Sequence, residues 1–134
     1  MAIPYHRLIP IGVILAVLLF GIGQGFPAGD CTKEEIKQTI QNNRAKINNL
    51  QVGMTKEKVI EMMGSFSCKW LLNPWKVEPL FSKGPSKYEV VYYVTQPKKP
   101  FNPVKPRDLT PLVFKDGRLV GWGNGYFNDI RQKI

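Results

Sequence analysis

Leu112 to Trp122, LVFKDGRLVGW, is the stretch that decides the fold. Asp116-Gly117 supplies the positive φ angles of a type I′ turn, and apolar residues run outward on both sides, so the segment predicts a β-hairpin with a two-residue loop. Such a loop fixes the register. Lys115 faces Arg118, Phe114 pairs with Leu119 and Leu112 with Gly121 on one face, while Val113 pairs with Val120 and lies near Trp122 on the other. Both faces are apolar, and one of them must cover helices. The second is either buried by the segment Trp70 to Trp75 or exposed as a binding surface, which makes Val113, Val120 and Trp122 candidate partner-binding residues.

Upstream, Tyr88 to Thr95 (YEVVYYVT) is dense in β-branched and aromatic residues and predicts a second strand region. Between Ser65 and Lys87 the signals are mixed. Trp70, Leu71, Leu72 and Trp75 favour a single strand, and Pro74, Pro79, Gly84 and Pro85 break it up. Two helices precede the strands. Thr32 opens a TKEE capping box with Glu35, after which Ile36, Ile40, Ile47 and Leu50 recur at roughly helical spacing. The polar remainder, Gln38, Gln41, Asn42, Asn43 and Arg44, predicts a surface helix with a narrow apolar stripe. Gly53 and Met54 break it. Thr55 caps a second, short helix with Glu57 in its first turn, Val59, Ile60 and Met63 facing inward, and Gly64 at its end.

At the N-terminus, His6 and Arg7 precede the apolar run Leu8 to Ile22, which gives way to Gly21, Gly23 and Gly25. A basic head, an apolar middle and small residues are the order of an export signal, and the run falls short of the roughly twenty residues that comfortably span a bilayer. Residues 1–25 are therefore expected to be a signal peptide, cleavage being favoured over retention as an inner-membrane anchor. Residues 26–134 are expected to form one exported, membrane-associated periplasmic domain. That compartment favours a disulfide between the only two cysteines, Cys31 and Cys68. Acylation of Cys31 fits less well, because Asp30 precedes it and Phe26, Pro27 and several glycines separate it from the apolar run.

The 134 residues carry a formal charge of +9, and without Arg7 the remainder holds 18 basic against 10 acidic side chains, or +8. The excess favours anionic partners. Export removes nucleic acid from the expected ones and leaves envelope proteins, anionic lipid or lipopolysaccharide. The charge concentrates in residues 96–110, QPKKPFNPVKPRDLT, where Lys98, Lys99, Lys105 and Arg107 surround Phe101 among four prolines. This stiff, extended loop could lie against anionic headgroups with Phe101 dipping in; the plainer alternative is a solvated hairpin loop.

Catalysis, cofactors and metals find no support in the sequence. His6 is the only histidine and lies in the leader, and no His/Cys cluster has metal-ligand spacing. The carboxylates Glu34, Glu35, Glu57 and Glu61 are ordinary solvated charges. Gly121, Gly123 and Gly125 are expected to form no phosphate loop, because no helix is expected behind them.

The run LQVGMTKEKVIEMMG (Leu50 to Gly64), the aromatic strand, and LVFKDGRLVGWG (Leu112 to Gly123) together resemble the BamE or SmpA/OmlA family of small envelope proteins. The pattern is a hydrophobic residue, Gly-Met-Thr, a short helix ending in Leu-Gly, a Tyr-rich strand and a Phe-x-x-Gly-x-Leu hairpin. The resemblance implies an α+β fold with two helices packed on a three-stranded antiparallel sheet. It also implies a non-catalytic, protein-docking accessory role in the assembly of outer-membrane β-barrels. The chain departs from the pattern in lacking a convincing lipobox and in carrying the insert 96–110, and the same small fold could serve as a general docking module.

Overall fold

The computed structural model describes residues 29–134. Leu8 to Ile22, and with it the expected export signal, lies outside the described residues. Helix α1 (Lys33–Ile47) begins with the expected capping box: the Glu35 N–H donates to Thr32 Oγ1 at 3.1 Å, and Glu35 Oε2 accepts from the Thr32 N–H at 2.7 Å. Helix α2 (Lys56–Met63) is capped by Thr55, whose hydroxyl accepts from the Lys58 N–H. Among the described residues no helix is long and apolar enough to cross a membrane.

The fold is α+β, with two antiparallel sheets. Strands β1 (Phe66–Cys68) and β2 (Leu71–Asn73) form a small hairpin, and β3 (Lys76–Leu80), β4 (Tyr88–Val94), β5 (Leu109–Lys115) and β6 (Arg118–Trp122) form a four-stranded sheet in that order. The single strand expected over Ser65 to Lys87 is thus three short ones, and the main sheet has four strands rather than three. Strand β3 escapes a propensity reading because Lys76, Glu78 and Pro79 interrupt it. An edge strand tolerates all three, since charge and proline there cost no central ladder bond.

The Asp116-Gly117 turn forms as expected, with φ of 49° and 82°. Beyond Phe114–Leu119 the ladder slips by one residue, so that Val113 pairs with Gly121 and Leu112 with Trp122. The expected pairs Val113–Val120 and Leu112–Gly121 are therefore corrected by a β-bulge that leaves Val120 unpaired. Pro111 sits inside β5 without losing a ladder bond. Its carbonyl accepts from the Gly123 N–H, so its nitrogen points to the same side, where β6 has already ended.

Two clusters make the core. Ile47, Leu50, Val59 and Met63 pack on Val91, Tyr93, Leu112, Phe114 and Leu119, so α2 and the end of α1 cover one face of the sheet. Ile36 and Ile40 join Val94, Leu109, Leu71 and the Cys31–Cys68 disulfide in the second. That disulfide, with Cα atoms 5.8 Å apart, staples the start of α1 to the β1–β2 hairpin. Its formation leaves Cys31 no thiol to acylate. Asn43, grouped by sequence with the solvated face, is instead buried: its Nδ2 donates to Asn73 Oδ1 (2.7 Å) and to the Val94 carbonyl (2.9 Å). The opposite face of the sheet is met by a helix that the sequence reading lacks, α3 (Asn124–Lys133). Its Tyr126 ring lies against Gly121, and its Phe127 meets Tyr92 edge-on at 6.1 Å.

Candidate anion-binding site

Residues 95–108 do not form the extended arm that four prolines suggest. Backbone hydrogen bonds from the Thr95 and Gln96 N–H groups to the Asp108 carbonyl close the base of the loop, and the Thr95 and Thr110 hydroxyls meet at 2.6 Å beside it. Pro106–Asp108 turns as a short 3₁₀ segment, with the buried Asp108 carboxylate accepting from the Lys105 N–H at 2.8 Å. Lys98 folds inward. Its Nζ donates to the carbonyls of Lys99 (3.0 Å), Pro100 (3.0 Å) and Asn102 (2.6 Å), and burial, opposed in part by Asp108, pushes its ammonium below the ordinary lysine range. Phe101 is docked as well. Its ring tilts against Trp70 at 5.6 Å, and Trp70 stands on the turn of the β1–β2 hairpin next to the disulfide.

Of the five expected lipid-contacting residues, Lys99, Lys105 and Arg107 are exposed cations, Lys98 is an internal staple, and Phe101 is a half-committed aromatic, 40% exposed. Folding the loop back produces two adjoining hollows that share Pro97 and Lys98. The larger, about 700 Å³, is lined by Lys98, Lys99, Lys105 and Arg107 and reaches Asn124 at the start of α3. The smaller, about 300 Å³, opens between Lys37, Ile40, Gln41 and Arg44 of α1 and the segment Thr95, Pro97 and Lys98. Arg44 is fixed there, its Nε donating to the Thr95 carbonyl (3.1 Å) and its Nη2 to Gln96 Oε1 (3.3 Å).

Charge around these hollows is one-sided. The ion pairs among the described residues are Lys56–Glu89, Lys58–Glu61 and Lys76–Glu78, none of which lines either hollow. Asp108 is the one carboxylate in either wall, and it is engaged by the Lys105 backbone. Among the described residues, Lys37, Arg44, Lys99, Lys105 and Arg107 therefore present positive charge outside any ion pair. Arg44, expected only on the solvated face of α1, and Lys37, which carries no motif, stand seven residues apart and so on one side of the helix.

The hairpin face is arranged differently from the expectation. Val113 is fully buried, Val120 and Trp122 are half-buried, and Trp122 packs beside Met54 against the first core cluster. Val113 and Trp122 pair with different partners, so the three candidates form no common patch. A helix does follow Gly121 and Gly123, which removes the reason given for dismissing a phosphate loop there. Its start contributes Asn124 to the larger hollow and no separate site.

Titratable chemistry is otherwise sparse. Among the described residues, the Tyr93 hydroxyl is the buried side-chain polar atom without a hydrogen-bond partner, and burial pushes its pKa up to about 12. Tyr92 is also raised, by burial first and then by the Glu78 charge. No group of three or more His, Cys, Asp or Glu side chains capable of holding a metal ion occurs among the described residues. The arrangement can hold and orient an anion.

No curated protein and no solved structure matches the chain. Residues 24–129 match the family described as protein of unknown function (DUF3192), a span that takes in α1, α2, both sheets, the basic loop and the start of α3. The chain belongs to the DUF3192 family.

Proposed function

We propose that this is a non-catalytic, exported domain of the cell envelope that docks onto phosphate-bearing anionic lipid through the pole formed by α1 and residues 95–108. The observation that carries this reading is the set of five cations, Lys37, Arg44, Lys99, Lys105 and Arg107, gathered around two hollows with no free carboxylate between them. Paired surface charges would cancel one another; these do not, and each cation near an anionic bilayer contributes about 1 kcal/mol. The disulfide supports an oxidising compartment and hence export. The resemblance of Leu50–Gly64 and Leu112–Gly123 to BamE-type proteins supports an accessory role in envelope assembly. Docking of a protein on the hairpin is the weaker reading, because Val113 is buried and α3 lies over Gly121.

The test is co-sedimentation of the natively processed protein with neutral phosphatidylcholine vesicles and with vesicles containing phosphatidylglycerol. A retained leader would raise binding to both, so the difference between them carries the result. Binding should favour the anionic vesicles and fade as salt rises. Replacing Lys99, Lys105 and Arg107 together by Gln removes about 3 kcal/mol and should weaken anionic binding about 100-fold. Equal binding to neutral vesicles, or an unchanged triple variant, overturns the proposal.

A further inference from the structure

We infer that the smaller hollow, between α1 and residues 95–98, is a selective subsite for a lipid phosphomonoester, a dianion seated between Lys37 and Arg44; this rests on the anionic-lipid reading above. The two hollows differ in build. The larger is ringed by cations on a loop and offers no large apolar side chain, so it attracts negative charge without regard to what carries it. The smaller has a built wall. The buried Ile40 and Pro97 line it, and Gln41 adds a neutral hydrogen-bonding group.

Arg44 is the organising residue. Its hydrogen bonds to the Thr95 carbonyl and Gln96 Oε1 hold the guanidinium in place, and its Nη1 hydrogens have no partner among the described residues. An arginine already ordered in the free protein loses little further side-chain entropy on binding, and the end of its guanidinium away from Thr95, Nη1 with the second Nη2 hydrogen, is left to meet two phosphate oxygens. Lys37 stands seven residues earlier, about 10 Å along the helix axis. Both side chains are long enough to converge on a group held over Ile40 and Gln41. Lys37 and Arg44, with Lys98 spent on three loop carbonyls and no carboxylate in the wall, match a dianion better than the single charge of a phosphodiester. Ile40 and Pro97 are placed to take the apolar stem that such a headgroup brings. At about 300 Å³ the space lies at the small end of ligand pockets, room for a headgroup and not for whole acyl chains.

The experiment is a titration of the natively processed protein, followed by amide resonances, with dihexanoyl phosphatidic acid held below its micelle concentration. Parallel titrations use dihexanoyl phosphatidylglycerol, dihexanoyl phosphatidylcholine and inorganic phosphate. Saturable shifts should appear at residues 37–44 and 95–98. Affinity for the monoester should exceed that for the diester at least five-fold and that for inorganic phosphate at least ten-fold. Lys37→Gln, an exposed change that spares the fold, should weaken monoester binding about ten-fold. Arg44→Lys, which keeps the charge but loses the fork, should abolish the preference over the diester. Equal binding of inorganic phosphate would make this a free-anion site, and equal binding of the diester or the choline lipid would remove the selectivity; each overturns the inference. If anionic vesicles still bind while the soluble lipids do not, only the subsite fails, whereas loss of the vesicle preference removes the parent reading too.

Discussion

Replacing Asn43 by Leu tests how α1 is held to the sheets, and through that how Arg44 is positioned. Asn43 is 1% exposed and Asn73 6% exposed, and they exchange two amide hydrogen bonds, of 2.7 and 3.2 Å. A third bond, 2.9 Å long, runs from Asn43 to the Val94 carbonyl, one residue before the carbonyl that fixes Arg44. Leucine keeps the heavy-atom count and branching of asparagine, so no atom is deleted and the main loss is polar. The Asn73 amide and the Val94 carbonyl lose their partner away from water, and at about 1 to 3 kcal/mol for each orphaned group the cost is about 2 to 6 kcal/mol. That is a large share of a small domain's stability. The double change Asn43→Leu with Asn73→Leu leaves only the carbonyl unsatisfied, so it should be more stable than Asn43→Leu alone despite being more heavily altered. Urea unfolding followed by circular dichroism measures the parent, the two single variants Asn43→Leu and Asn73→Leu, and the double variant. A single variant costing under about 1 kcal/mol, or a double variant costing the sum of its singles, would refute the reasoning.

Cys31→Ser with Cys68→Ser opens a staple that spans 37 residues, for which the chain-entropy model gives about 4 kcal/mol; the urea midpoint should fall, and dithiothreitol should lower it in the parent but not in the variant. Tyr93→Phe deletes a hydroxyl that has no partner, so at pH 7 the variant should match or exceed its parent by up to about 1 kcal/mol. In the parent, the unfolded chain gives up the Tyr93 proton near pH 10 and the folded one only near 12, so stability falls as pH climbs through that window. Unfolding measured at pH 10 to 12 should show a shallower fall in the phenylalanine variant, and an equal fall contradicts the assignment. Gly121→Ala puts a Cβ 2.6 Å from the Tyr126 ring, forcing α3 to shift at about 1 to 3 kcal/mol; a melting temperature equal to the parent's would show that the ring yields freely.

What the sequence disclosed and what it hid follow from where the signals live. Thr32, Thr55 and Asp116-Gly117 act within a few residues, and the two caps and the turn are where the local chemistry requires them. The cysteine pairing was legible from a count of two together with the expected export. The bulge at Val120 was not, because one extra residue leaves the alternation of a short apolar strand unchanged to the eye. Helix α3 was hidden for a definite reason: Gly123 caps it without a side chain, and Gly125 lies in its first turn, so the usual start signals are missing. Its presence supplies the cover for the second apolar face of the hairpin that the pattern could only pose as a question. At the candidate site, the charge density of residues 96–110 was visible, but its geometry depends on tertiary contacts. Lys98 turns inward only because three carbonyls converge on it, and Lys37 and Arg44 join the site only because α1 runs beside Thr95.

Which pole of the molecule meets the bilayer is the most direct question. Strands β4 and β5 separate the basic pole from the opposite end, where the loop 81–87 and the Asp116-Gly117 turn lie together and Phe81 is 93% exposed beside Lys83. Nanodiscs containing phosphatidylglycerol and a gadolinium-chelating lipid broaden the amide signals nearest the membrane. Docking through the basic pole predicts loss of signal at residues 37–44 and 97–107, with 81–87 and 116–117 retained; broadening centred on 81–87, with the basic pole intact, would contradict that docking.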